Sequence, residues 1–560
     1  MSASTERKNR IAAREAGTDK KTIAAREEAE KKAKSRRRWT WGTIGVAVLI
    51  AAILLLNSGL MYTATTALTA NGVKYSPAQV NYHYGNDYLN FRNQYGSYAS
   101  MFGLDTSMGL SSLGDQDCPM LEGGTWRDYF RNTAKSDVQQ IRALLDYAAE
   151  NGIELTEEDI ADVDAQFEGI EEAAKNYGYG SADKLYAMNY GSGVNKKIVR
   201  QASLNNALAQ KAMDAKRDSL SWTDAELKDY YDGLNGSRDL FDFDIYIVHA
   251  DTVENPVTAE DGTETTEMIA TDASRAEAKA TADAIVAAYK DGLAEAEGTP
   301  DYEAVFAAAV DSQTGEAGEQ PTQRTAYNGG SLPTAYADWM KDSARKAGDV
   351  AAFPDAETDP TTYIAVLYLS RDDNSYNTAS VRHILVKAEA SEDGTYSDEA
   401  KAAAKARAEE ILAEFNAGDK TEESFAALAE QYSEDAGSNT NGGLYENIGH
   451  GQMVEEFDAF CFGGHKPGDT GIVYGESGSY AGYHVMYYVG EGGLYKDYIA
   501  KSDLENEAID SWIGELTDAC TVPRASVSAS SENKNGTNKG LTRIGHGIGV
   551  CVGPFCMKSV

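Results

Sequence analysis

The chain has 560 residues, 42% of them hydrophobic and 25% charged, which is enough apolar material for about three to four domains with their own cores. It carries 51 lysines and arginines against 88 aspartates and glutamates, a net charge of −37; that balance argues against nucleic acid as a partner, since binding it needs a basic face. The five cysteines, Cys118, Cys461, Cys520, Cys551 and Cys556, show no zinc-type spacing with histidines and no disulfide framework.

Residues 1–38 are polar and basic, with Lys31, Lys32, Lys34, Arg36, Arg37 and Arg38 crowding their end. The run GTIGVAVLIAAILLL follows (Gly42 to Leu56), flanked by Trp39, Trp41 and Tyr62. Basic-then-apolar order with aromatic flanks predicts a single transmembrane anchor over 39–62, with the N-terminus cytoplasmic and the bulk of the chain outside the cell membrane. A cleaved signal peptide is the alternative; the long basic region and the poor small-residue site near Ala67–Ala70 argue against it.

Residues 63–239 read as a helical domain. Asn151-Gly152 stops one helix, and Thr156-Glu-Glu-Asp159 starts another with Ile160, Val163, Phe167 and Ile170 on one face. Thr223-Asp-Ala-Glu226 is a capping box. The frequent tyrosines (Tyr82, Tyr84, Tyr88, Tyr95, Tyr98) read mainly as helix-packing residues.

From about Leu240 the period changes to that of strands. A strand at 241–248, an acidic loop, helices at 274–290 and from Asp301, an Asn328-Gly329-Gly330 turn, a short helix, Lys346-Ala-Gly348-Asp349 and a strand at 363–369 form one series. A second series follows. It has a strand at 381–386, helices at 398–416 and 422–432, Asn441-Gly442-Gly443, a helix at 454–462, Lys466-Pro-Gly468-Asp469 and a strand at 484–489. Two tandem copies of one α+β unit, at 240–371 and 379–490, are the economical explanation. A C-terminal helix is expected within 491–525. From Ser526 to the end the composition is that of a disordered tail.

The second copy resembles the parvulin family of peptidyl-prolyl isomerases. The likeness rests on VRHILVKA (381–388), FAALAEQYSEDAGSNTNGGL (425–444), GHGQMVEEFDAFCF (449–462), KPGDTGIV (466–473) and GYHVMYYV (482–489). It covers about a fifth of the chain. The layout of anchor, helical domain and isomerase copies looks like SurA-like and PrsA-like foldases, more weakly, because helical pattern carries little identity.

The resemblance implies a small antiparallel sheet with surrounding helices. It implies His383, Asp435 and His484 as catalytic residues, and Leu444, Gln452, Met453 and Phe457 as the residues that bind substrate. The aromatic that the family usually has after the Gly-Gly-Leu turn is replaced by Tyr445-Glu446-Asn447. The implied activity is cis–trans isomerisation of the bond preceding proline, whose rotational barrier of ~18–20 kcal/mol comes from amide resonance. No bond is broken, so no cofactor or metal is needed. The expected partners are unfolded or partly folded exported polypeptides, the membrane through the N-terminal helix, and the translocon. Phosphoserine-directed specificity is not expected, because the loop after the first strand reads Glu389-Ala-Ser-Glu-Asp393 and would repel phosphate. The alternative function is a non-catalytic holdase or translocon-associated scaffold that uses these units as binding modules.

Aligned with the second copy, the first puts Ile245 opposite His383, His249 opposite Lys387, Pro333 opposite Met453 and Ala337 opposite Phe457. It is expected to be catalytically silent.

Overall fold

A computed structural model describes residues 3–17, 20–57, 59–258, 264–315, 320–391, 394–478 and 480–523. The expected tail, with Cys551 and Cys556, lies outside the described residues. The chain divides into two compact units: Met1–Leu220 together with Glu507 onward, and Ser221–Asn506.

The membrane anchor is overturned. Among the described residues no helix is long and apolar enough to cross a membrane. The apolar run is the C-terminal part of a helix, Lys20–Asn57, whose first half is charged. That helix ends at Asn57, and Gly59, at φ 69°, precedes a separate helix, Leu60–Ala64. The run from Gly42 to Leu56 therefore spans only about 22 Å at 1.5 Å per residue, short of the ~30 Å of a bilayer core. The single-pass topology, the N-terminus-in orientation and the membrane as a partner fall with it.

The rest of the first unit opens with a two-stranded hairpin, β1 (Leu68–Ala70) and β2 (Val73–Tyr75), in a stretch whose pattern reads as helical. Helices Pro77–Tyr95, Trp126–Glu150 and Lys196–Asp218 carry its core. Thr125 and Asp128 form a capping box that starts the second of these, which buries Trp126, Phe130, Ala134, Val138, Ile141 and Leu144 at helical spacing. Tyr82 and Tyr88 are buried, and Tyr84 and Tyr95 are half-buried, so they pack the core as expected, while Tyr98 is exposed. Thr156 and Asp159 cap the next helix, Glu157–Ala165, which stops before Phe167; Gly169, at φ 70°, starts a second, Ile170–Asn176. Val163, Phe167 and Ile170 are buried, but Ile160 is exposed.

The second unit is mixed α+β. Its first sheet is built from β3 (Leu240–His249), β6 (Thr322–Asn328), β7 (Val350–Pro354) and β8 (Thr362–Asp372), in the order β6-β3-β8-β7. The expected acidic loop is instead a hairpin, β4 (Thr252–Thr258) and β5 (Glu264–Ala270). The second sheet contains β9 (Asn377–Lys387), β10 (Leu444–Ile448), β11 (Thr470–Ser477) and β12 (Tyr480–Leu494), in the order β10-β9-β12-β11. Both sheets thus place the first and last strands of their series side by side in the centre, antiparallel. Each also sends two helices across before its second strand: Asp272–Glu295 and Tyr302–Thr314 in the first, Asp398–Ala417 and Glu422–Tyr432 in the second.

The Gly-Asp punctuation is structurally equivalent in the two series. Gly348 and Gly468 have φ of 89° and 95°. Their N–H groups donate to Tyr368 O and Tyr488 O, and those tyrosines donate back to Asp349 O and Asp469 O. The Asn-Gly-Gly repeat is not equivalent. Asn441-Gly442-Gly443 precedes β10, whereas Asn328-Gly329-Gly330 follows β6. Turn composition alone does not say which end of a strand it serves.

Alternation along β9 and β12 gives the second sheet two different faces. Ile384, Val386, Val485 and Tyr487 point to the helices and pack with Ile411, Phe415 and Phe425. Ala379, Val381, Met486 and Tyr488 point the other way, against Phe457, Phe460 and Cys461 of the short helix Glu455–Cys461. The candidate site stands on this second face.

Candidate active site

His383 on β9 and His484 on β12 are diagonal neighbours across the central strand pair: His383 is opposite Met486, and His484 is opposite Leu385. Residues so placed share a face and come within side-chain reach. Their Nδ1 atoms are 3.0 Å apart, and both residues are buried, at 3% and 4% exposure.

Asp435 reaches them from the turn after helix Glu422–Tyr432. That turn is laced to β9: Leu385 N–H donates to Ser433 Oγ, and Glu434 N–H donates to Leu385 O. Asp435 Oδ2 lies 2.9 Å from His383 Nε2, accepts from Ser438 Oγ at 2.6 Å and from the Tyr445 hydroxyl at 3.1 Å, while Oδ1 accepts from Gly437 N–H. Ser438 Oγ is also 3.0 Å from His383 Nε2. At the far end, the Tyr480 hydroxyl is 3.1 Å from His484 Nε2. Gly443 closes the turn at φ 71° and accepts from His383 N–H at 2.8 Å. A Cβ there would lie 2.2 Å from His383 O, so only glycine fits.

With both rings neutral and Asp435 ionised, one assignment gives every contact a donor. Tyr480 donates to His484 Nε2, His484 Nδ1–H to His383 Nδ1, and His383 Nε2–H to Asp435; Ser438 and Tyr445 donate to Asp435 as well. The electrostatics agree. The hydrogen bond from His383, helped by Ser438 and Gly437, holds the Asp435 carboxyl well below the usual carboxylate range against the opposing effect of burial. Burial pushes His484 down to about 3, so it is neutral near pH 7.

Phe457 presents its ring edge-on to both histidines, with centroids 5.4 Å and 5.3 Å away at 76° and 89°. It is 2% exposed and forms the floor of the site. Met453 is half-buried against the same cluster, but it precedes the helix, which begins at Glu455 and not at Val454. Met453, in the loop, and Phe457, on the helix, thus belong to one apolar cluster. Leu444 is half-buried at the start of β10, opposite Arg382, which puts it on the sheet face of Ile384 and Val386 and not on that of the histidines.

Gln452 does not face the histidines' network. Its Oε1 accepts from Gly449 N–H at 2.9 Å and its Nε2 donates to the Tyr495 hydroxyl at 2.8 Å. Two residues of the network, Ser438 and Tyr480, were not singled out from the sequence, and Tyr445 was noted only as part of the stretch that replaces the family's aromatic. Tyr445, 5.3 Å from the His383 ring, supplies the aromatic next to the glycine turn. Tyr480 carried a strand signal, since it lies four residues before His484 and hence on the same face. Among the described residues no group of three or more His, Cys, Asp or Glu side chains is arranged to hold a metal ion.

The first sheet lacks this arrangement. Tyr368 matches Tyr488 through the Gly-Asp bonds, so Ile364 stands where His484 does; Ile245, opposite Val366, stands where His383 does, opposite Met486. Ile245 packs with Phe241, Phe243, Leu332, Tyr336 and Met340. The turn that would answer to Asp435 falls in 316–319, outside the described residues.

Residues 365–487 match the family described as the PPIC-type PPIASE domain, so this part of the chain is a peptidyl-prolyl isomerase domain and the chain carries an enzyme of that class. The match begins within β8, before the first strand of the second sheet.

Solved structures similar to the chain include PrsA from Bacillus subtilis, at 15% identity, covering 71% of this chain and 89% of that one with a TM-score of 0.28. The peptidylprolyl isomerase PrsA from Bacillus anthracis is 22% identical over 26% of this chain and 59% of its own, with a TM-score of 0.17. A Campylobacter jejuni structure, from work on the SurA-like chaperones PEB4 and Cj1289, is 23% identical over 26% of this chain and 51% of its own, with a TM-score of 0.16. The chain thus spans little more than half of the last two. At these values the likeness carries no functional argument. No curated protein matches the sequence.

Proposed function

We propose that the whole chain is a foldase that isomerises X-Pro bonds in polypeptides that have not finished folding, with the second sheet as its only working site. The observation that carries this is the closed chain Tyr480–His484–His383–Asp435 lying against Phe457. Rotation about a peptide bond is opposed by its partial double-bond character, and a site accelerates it by binding the twisted amide better than either planar form. Phe457 and Met453 offer an apolar seat for the proline ring. A water-poor seat disfavours the charge-separated resonance form of the amide. The polar wall, whose protons are fixed by Asp435 at one end and Tyr480 at the other, orients the carbonyl and imide without reorganising. His383, Asp435 and His484 hold the catalytic roles in this reading, and Ser438, Tyr445 and Tyr480 keep them in place.

The first sheet is proposed to bind or space clients without turning them over, because isoleucines replace both histidines there. The test is isomerisation of a proline peptide by the full chain, followed by exchange NMR or protease coupling. Catalysis that is lost on changing Asp435 or His383 supports the reading. A rate equal to that of the uncatalysed peptide would leave only the holdase function.

A further inference from the structure

Gln452 precedes Met453 in the loop that enters the site, yet both ends of its carboxamide are used within the protein. Oε1 accepts from Gly449 N–H, and Nε2 donates to Tyr495 Oη at 2.8 Å. Tyr495 lies beyond the matched residues 365–487, at the start of helix Tyr495–Ala519. The loop rests flat on that ring: a Cβ on Gly449 would come within 2.3 Å of its atoms. Tyr495 in turn stacks on Tyr376, with centroids 5.4 Å apart at 24°, and donates its N–H to Tyr376 O. Tyr376 comes from the connection between β8 and β9, and its hydroxyl accepts from His450 N–H at 2.9 Å. Asp458 takes the loop from the other side, accepting from Gly451 N–H at 2.9 Å. His450, Gly451 and Gln452 are thus each bonded to an anchor outside the loop that makes no part of the histidine network, and Gly449 is bonded to Gln452.

We infer that Gln452 is a positioning residue that sets the Met453 loop by tying it to Tyr495, and that the working isomerase site therefore includes the Tyr376–Tyr495 stack outside the sheet. A loop of glycines and a histidine has little stiffness of its own, and a slot for one proline ring tolerates little displacement. This rests on the isomerase reading above, and deepens it.

The test is a double-mutant cycle in the full chain, with kcat and KM measured on a proline peptide and thermal midpoints measured in parallel. Tyr495→Phe keeps the ring stack and removes only the hydroxyl; Gln452→Leu removes the carboxamide. Each is expected to lower kcat/KM by about threefold to tenfold, the size of one hydrogen bond, with the loss in kcat. The double variant is expected to lose no more than the worse single one, because one link is broken once. Gln452→Glu still accepts from Gly449 and can accept the Tyr495 O–H. It should recover most of what Gln452→Leu loses when Tyr495 is present, and nothing in the Tyr495→Phe background. Losses that multiply, or a Gln452→Leu effect confined to KM in both backgrounds, would mean that Gln452 touches substrate and would overturn the inference. Unchanged kinetics in both single variants would overturn it too. An unmodified chain without turnover would overturn the isomerase reading itself and this link with it.

Discussion

The two sheets of the second unit follow one plan and differ on one face. In each, the first and last strands pair at the centre, a Gly-Asp turn feeds the last hairpin and two helices cover the back. On the open face the second sheet buries two histidines tied to an aspartate, where the first buries isoleucine among phenylalanine, tyrosine and methionine. The plan is upheld by the apolar face and by backbone bonds, which are common to both. The open face is free to be a packed core or a polar site, and a buried polar site persists only where every member has a partner. The comparison teaches that fold and site are separable here, and four experiments would break or sharpen it.

Giving the second sheet the first sheet's residues is the most severe. His383→Ile with His484→Ile should fold, since isoleucine already occupies both positions in the sister sheet. It should lose on the order of 10²-fold in kcat/KM, as when preorganised polar groups are removed from a site. Retained turnover in the peptide assay would show that the polar wall is not the working feature.

Phe457→Ala should be the costliest single change to stability. It empties a buried site for about 3–5 kcal/mol and removes the floor under both histidines, so urea unfolding of the second unit and turnover should fall together. An urea midpoint that stays in place would mean that the short helix repacks.

The sheets should also respond to pH with opposite sign. The unfolded chain protonates His484 from about pH 6.5 downward, whereas the folded sheet resists until about pH 3. Stability of the second sheet should therefore fall as the pH drops through that window, by up to about 1.4 kcal/mol per pH unit. The depressed Asp435 adds a loss only below the ordinary carboxylate range, near 3.8. His484→Ile should flatten the slope between pH 6.5 and 4 in urea midpoints; an unchanged slope would place its origin elsewhere.

The smallest effect is expected in the first sheet. Asp244 is buried, its Oδ1 without a partner among the described residues, and burial, with Glu303 nearby, pushes its carboxyl up to about 6. The folded state holds that proton between about pH 4 and 6 and the unfolded state does not, so stability falls as the pH rises through this window. Asp244→Asn should remove the dependence and stabilise the chain at neutral pH by on the order of 1 kcal/mol. The parent and variant midpoints at pH 4 and pH 7.5 check it.

Much of this was legible in the sequence because it is local. Strand and helix periods, the helix starts at Thr156 and Thr223, and the Gly-Asp turns depend on neighbours within a few residues. His383 and His484 drew notice through the parvulin resemblance, and the pairing of the first strand with the last brings them together. What the sequence did not disclose depends on where chain segments end and meet. The apolar N-terminal run has the composition of an anchor, but its helix stops at Asn57, and length is set by termination. The two Asn-Gly-Gly turns look alike and serve opposite ends of their strands. Gln452 donates to Tyr495, 43 residues on, a link that no short-range pattern discloses. Ser438, Tyr445 and Tyr480 join the histidine chain only through hydroxyl groups whose direction is fixed by the packed sheet. A short-range pattern decides which residues can share a face, but a hydrogen bond needs its atoms within about 3 Å, and only the tertiary structure sets that distance.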